Sequence, residues 1–203
     1  NLIANVNGAG ANSGLNVADG AAHFWSVTWQ SVDGTLQVYK DGALSYTAIL
    51  SAGNDIDAGG TIVLGQEQDT LGGGFQAPEA LDGVLDEVRV WDSVRSAGEI
   101  DAGRAATLTG TEPGLVLHQN FDDINRPVDD DDSGNGLTAN LFGGVGVTQS
   151  IQSAVAPGRG LSLDGVNDYI DVQEDASLTL GSFTLEAWIN TSGGSGFDRI
   201  ITK

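Results

Sequence analysis

Apolar and polar residues alternate with period two along most of the chain, the spacing of half-buried strands. Residues 23–30 (HFWSVTWQ) place Trp25, Val27 and Trp29 on one face. Ser31–Gly34 reads as a turn, and Thr35–Tyr39 alternates again before Lys40-Asp41-Gly42. An Asp-Gly pair between alternating runs predicts a hairpin. Gly60–Gly65 and Val84–Trp91 read as further strands, and Ser96–Ile100 as one helical turn capped by Ser96. Arg104–Pro113 reads as a connector. Beyond it Leu115–Phe121, Gly160–Leu163, Tyr169–Val172 and Ser182–Ile189 form the remaining strands. No segment has the period of a long helix and no short tandem repeat is present. Many short strands joined by glycine-rich turns predict an all-β sandwich or jelly roll.

The same alternation bears on chemistry. Adjacent strand residues point to opposite faces, so Val84, Asp86 and Val88 are expected on one face and Leu85, Glu87 and Arg89 on the other. Asp86 and Glu87 then cannot act as the paired carboxylates of a glycosidase, which sit about 5 Å apart on one side in retaining enzymes. Trp25, Trp29, Trp91 and Trp188 alternate with Val and Ala, which makes them core residues before sugar-stacking ones. His23 and His118 lie in strands without a Ser or Asp partner by motif and read as structural. Tyr39, Tyr46 and Tyr169 read as freer to be exposed.

Composition narrows the function. The 203 residues carry 8 Lys+Arg against 28 Asp+Glu, a formal charge of −20, with 30 glycines and no cysteine or methionine. Such a polyanion excludes nucleic acid and anionic membrane surfaces as partners, because both are met with Lys and Arg. The absence of cysteine removes disulfides, thiolate metal sites and Cys nucleophiles. No apolar run approaches the roughly 20 residues of a membrane span. No signal peptide opens the sequence, and Asn1 is not an initiator methionine, as expected of a piece of a longer protein. A hydrophobic share of 40% excludes disorder. The acidic surface points to a salty or calcium-rich extracellular setting.

Several segments resemble laminin-G-like and pentraxin jelly rolls, of the concanavalin A-like type. The tightest is Leu64-Gly65-Gln66-Glu67-Gln68-Asp69, continuing to Gly72-Gly73-Gly74-Phe75, which is similar to the pentraxin calcium loop. Gly83–Asp92 resembles the penultimate strand of that family, and Leu163–Ile170 and Phe183–Ile189 resemble its opening strands. By this resemblance residues 1–103 correspond to the closing half of such a domain and 104–203 to the opening half. Three arrangements follow: two half-domains cut from an array, halves exchanged with neighbouring copies, or two halves complementing each other in one permuted jelly roll. The summed length, about one domain, favours complementation, since an isolated half sandwich exposes its inner face.

The resemblance implies a calcium site formed by Glu67, Gln68, Asp69, Gln76 and Glu79. Calcium takes roughly six to eight oxygen ligands. Glu67, Asp69 and Glu79 offer carboxylates, Gln76 an amide oxygen and Gln68 its main-chain oxygen. The glycines at 72–74 let the loop fold back so that 67–69 and 76–79 converge. The family pattern usually has an acid near 76 and an amide at 79, so this sequence exchanges the two while keeping the charge. The pattern also supplies an Asp-Asn pair shortly after the segment that Ile200–Lys203 resembles, and these 203 residues hold no counterpart to it. A second acidic stretch, Asp129 to Gly136, places Asp129, Asp131, Ser133 and Gly134 at spacings that invite an EF-hand. The twelfth position is Asn140 rather than Glu, so the stretch reads as a solvated turn, with a structural ion as the alternative.

The expected function is a calcium-dependent carbohydrate- or ligand-binding adhesion module of a large secreted or cell-surface protein, and not an enzyme. The expected partner is a glycan or another anionic or hydroxylated ligand held through calcium, with strand exchange between neighbouring repeats a further possibility. Two rivals stand beside this reading: a calcium-stabilised spacer repeat, and a non-catalytic accessory domain of a polysaccharide-acting enzyme.

Overall fold

The computed structural model describes residues 2–56, 59–70, 73–122, 128–152, 158–193 and 199–203, with side chains at 128–129 left undescribed. Its strands are β1 (Ile3–Val6), β2 (Ala9–Asn12), β3 (Ala22–Gln30), β4 (Thr35–Lys40), β5 (Ala43–Ile49), β6 (Ile62–Leu64), β7 (Asp82–Trp91), β8 (Leu115–Gln119), β9 (Val128–Asp129), β10 (Ala139–Phe142), β11 (Gly146–Gln149), β12 (Arg159–Asp164), β13 (Tyr169–Val172), β14 (Ser182–Thr191) and β15 (Ile201–Thr202). Among the described residues one α-helix, α1, spans Ala97–Gly103.

The strands form an all-β sandwich. One sheet has eight strands, in the order β11-β12-β7-β14-β3-β4-β5, with β8 beside the far half of β7. Facing it are a five-stranded sheet, β15-β6-β13-β10-β9, and the separate hairpin β1-β2. All the pairings are antiparallel. Strands from before and after residue 103 interleave in both sheets. β14 pairs with β3 on one side and β7 on the other, and β6 lies between β13 and β15.

The predicted hairpin forms between β4 and β5, with Asp41 and Gly42 both at positive φ in the turn. The alternating apolar face of β3 packs Trp25 and Trp29 into the core between the layers, and Trp29 Nε1 donates to Leu50 O at 2.9 Å. Outward residues of the large sheet are buried as well. Phe24, Tyr39 and Trp188 pack with Ile100 of α1 in a second cluster on the outer face. Tyr39 is therefore buried, contrary to the expectation from alternation, because a helix covers the face to which it points. Tyr46 and Tyr169 are half-buried.

Helix α1 begins as its sequence predicts. Ser96 Oγ accepts from Glu99 N, and the Glu99 carboxylate accepts from Ser96 N at 2.8 Å, a complete capping box.

The expected alternation along β7 fails at Glu87. The register against β14 slips between Glu186 and Trp188, and Glu87 takes a φ of +52°. Two residues of β7 then oppose one of β14, which is a β-bulge. Leu85 points inward before it, and Val88 and Val90 point inward after it. Asp86, Glu87 and Arg89 consequently share the outer side, where an ionic network forms. Arg89 Nη2 donates to Glu87 Oε2 at 2.7 Å, and His118 Nε2 lies 2.8 Å from the same oxygen. Arg89 also donates to the carbonyls of Gly103 and Ala106, closing the C-terminal end of α1. Glu186 accepts from Trp91 Nε1 at 2.9 Å and pairs with Arg95 at 3.3 Å.

Candidate functional site

The loop after β6 is built on glycine and side-chain ties. Gln66 is buried, its Oε1 accepts from Glu67 N, and its carbonyl accepts from Thr202 Oγ1 on β15. Gln68 Nε2 donates to Thr61 O at 3.0 Å, folding the loop against β6. Thr70 and Gly73 exchange backbone hydrogen bonds at the loop's waist. Gly74 has φ +79°, and a Cβ there would sit 2.6 Å from Asp69 Cβ, so the return of the chain requires glycine. Phe75 lies against Tyr169 of β13 with ring centroids 4.3 Å apart, which fixes the returning segment to the sheet. A single turn of 3₁₀ helix, Ala77–Glu79, ends the loop with Pro78 inside it.

This path brings the expected residues together in pairs. Gln76 Nε2 donates to Asp69 Oδ2 at 2.9 Å. Glu67 and Glu79 face one another, and both meet Arg199, whose Nη2 lies 3.1 Å from Glu67 Oε1 and 3.8 Å from Glu79 Oε1. Arg199 N also donates to Glu79 O at 3.1 Å. The hydrogen bond with Glu79 holds the Glu67 carboxyl above its ordinary range, helped by burial and by the charges of Glu79 and Asp69, and opposed by Arg199. Glu79 Oε2 is buried without a hydrogen-bond partner. Sequence reasoning did not find Arg199. It is one of only 8 basic residues, but no spacing relates it to a loop more than a hundred positions away.

The donor chemistry suits a hard cation: three carboxylates, an amide and main-chain carbonyls. The Glu67–Glu79 pair sets two carboxylates against a single guanidinium, and one Glu79 oxygen is left without a hydrogen bond. Among the described residues, however, no three acidic or histidine side chains close on one point. The guanidinium of Arg199 is the cation that Glu67 and Glu79 share.

The other acidic clusters are occupied by protein. Asp131 accepts from His118 N, Ser133 N, Ser133 Oγ and Leu137 N, so this carboxylate organises a turn. The Asp129 side chain lies outside the described residues. Asp86 accepts from Ser150 Oγ, Ile151 N and Gln152 N. Burial pushes its carboxyl up to about 6, with the charge of Glu87 adding to it. Burial also raises Glu87, but the hydrogen bond from His118 and the charge of Arg89 outweigh it and leave Glu87 low. Asp86 and Glu87 share a side, yet both are buried and bound to protein groups. His23 bridges Asp41 at 2.7 Å and Asp19 at 3.1 Å, partners that no motif announced.

Fold and loop together define a concanavalin A-like jelly roll with an acidic loop folded across its smaller sheet. The chain belongs to the Pentaxin family, whose profile matches residues 5–126. That family is calcium-binding in general. Human neuronal pentraxin-2 is 41% identical over 113 residues, covering 55% of this chain and 26% of that protein. The rat sushi, von Willebrand factor type A, EGF and pentraxin domain-containing protein 1 is 42% identical over 103 residues, 50% of this chain and 3% of that protein. Human neuronal pentraxin-1 is 41% identical over 85 residues, 41% of this chain and 20% of that protein. The chain therefore spans about a quarter or less of the length of these relatives. No solved structure matches it.

Proposed function

We propose that this chain is a calcium-dependent ligand-binding module of an extracellular protein, and that residues 1–103 and 104–203 complement one another as a permuted jelly roll. The observation that carries the calcium reading is the pair of closely opposed carboxylates Glu67 and Glu79, which share one guanidinium between them, beside Asp69 and Gln76. Glu67, Asp69 and Glu79 would hold the ion through carboxylates, Gln76 through its amide oxygen and Gln68 through its carbonyl. Bound calcium supplies positive charge and open coordination positions for hydroxyl or anionic groups of a glycan or similar ligand. The protein's own part is to keep the loop folded, through Gly74, Phe75 and Gln68, so that these oxygens stay on one side. Arg199 competes for the same carboxylates and keeps the loop closed when calcium is scarce.

Calorimetric titration with calcium, run beside thermal melts in calcium and in chelator, tests the reading. The expected result is sites tighter than millimolar and a melting temperature that rises with calcium, both lost in Glu67→Ala. Absence of heat and of any shift would retire it. A calcium response with a blank glycan and phosphate-ester screen would instead select the spacer role.

A further inference from the structure

A cavity of about 950 Å³ runs between the layers. Its floor is the inner face of the large sheet, including Trp25, Val27, Leu36, Phe183, Leu185 and Ile189. Val27 and Leu185 are direct cross-strand partners on the neighbouring strands β3 and β14. Both are only half-buried, whereas Trp25 and Trp29 on one strand and Phe183 and Ala187 on the other are buried. The thinnest cover thus lies over the middle of the sheet, where a sandwich should be densest. One rim of the cavity is β1 with its flanks, from Leu2 to Gly8, and another is β15 with its flanks, from Arg199 to Lys203. Among the described residues β1 pairs only with β2, and β15 only with β6. Among the described residues, two strand edges without a partner strand therefore border the same, mainly apolar space.

We propose that this space receives one extended strand donated by a partner polypeptide. Its alternate apolar side chains would meet Val27 and Leu185, and its backbone would pair with the edges of β1 and β15. Volume, charge and hydrogen bonding select that occupant. The space is partly open and its lining is more apolar than polar, so solvent there meets the inner apolar face of the sheet, and covering that face with apolar side chains is favourable. The Glu186 carboxylate turns to the outer side, and the charged side chains left along the cavity, Glu67, Arg199 and Lys203, carry no negative excess, on a chain whose formal charge is −20. A neutral strand enters there without the repulsion that the rest of the surface exerts on acidic partners. A lipid chain would fill the volume but leave the backbone groups of both edges unmatched. One added strand would merge the two-stranded and five-stranded sheets into a layer of eight facing the eight-stranded sheet. The proposal does not require calcium, and the Glu67, Gln68 and Arg199 side chains are common to the cavity rim and the acidic loop.

The test uses the 203-residue chain and the peptide TVTVTVT, added at up to millimolar concentration in trans or fused after Lys203 through a flexible Gly-Ser linker. A peptide of the same residues in block order, VVVTTTT, is the control. The readouts are the melting temperature, amide exchange at Ile3–Val6 and Ile200–Thr202, and displacement of cis-parinaric acid. The alternating strand is expected to raise the melting temperature by several degrees and slow exchange at both edges, while the block-order peptide does neither. No protection even when tethered, equal protection from both peptides, or parinaric acid that the strand fails to displace would overturn the proposal. Protection only when tethered, with none in trans, would overturn the partner-chain source.

Discussion

Replacing Asp86 with asparagine isolates the cost of one buried carboxylate. The side chain lies on the outer side of β7, bound by Ser150 Oγ and the amides of Ile151 and Gln152. Burial raises its pKa from 3.8 to about 6, which corresponds to about 3 kcal/mol between its two protonation states. The native state therefore holds this proton more tightly than the unfolded chain does. The stability it contributes is complete below pH 3.8 and is lost as pH rises through about 6. The Asp86→Asn side chain would keep its size and an acceptor for the Ile151 amide, but would not ionise. The assay is urea unfolding followed by the fluorescence of the buried tryptophans, for both proteins, from pH 4 to pH 7. Wild-type stability minus that of Asp86→Asn should fall by up to about 3 kcal/mol across that range. Subtraction removes every carboxylate that the two proteins share. A flat difference, or one that rises with pH, would refute the idea that Asp86 is held above its ordinary pKa by burial.

Removal of the competing guanidinium by Arg199→Gln should tighten calcium binding by up to about fivefold, since a partly exposed ion pair is worth up to about 1 kcal/mol; calorimetry at fixed ionic strength reads this, and weaker binding would speak against competition. Loss of the capping box in Ser96→Ala should cost about 1 kcal/mol, measured by urea unfolding, and Ser96→Asn should recover most of it.

Much of the fold is legible from local pattern. Alternation over 23–30, 35–39 and 182–189 marks strands whose inward-facing residues follow from the pattern, because a half-buried strand must place apolar groups at every second position. The Asp-Gly turn at 41–42 and the Ser96 cap are equally local, each set by backbone conformation within a few residues. Strands β1, β2, β10 and β11 escaped that reading because they are short, rich in small or polar residues, and carry too few apolar positions to show a period. The loop at 66–79 was legible through its resemblance to pentraxins. Its glycines and its Gln76–Asp69 contact belong to one short stretch of chain.

The remainder depends on distance in space. A bulge at Glu87 reverses the faces of β7, and nothing within that segment's alternation announces an extra residue, since its effect is defined only against β14. Tyr39 is buried because α1 crosses an outer face that the strand alone would leave to water. Arg199 joins Glu67 and Glu79 only because β15 pairs with β6. The sequence by itself determined the longer strands, the Asp-Gly turn, the strong negative charge and the acidic loop, which are properties of neighbouring residues. Tertiary structure alone decided which strands meet, where the faces of β7 change over, which cation shares the loop's carboxylates and where the sandwich stays open. Those outcomes depend on the packing of segments far apart in the chain, and local propensity carries no record of it.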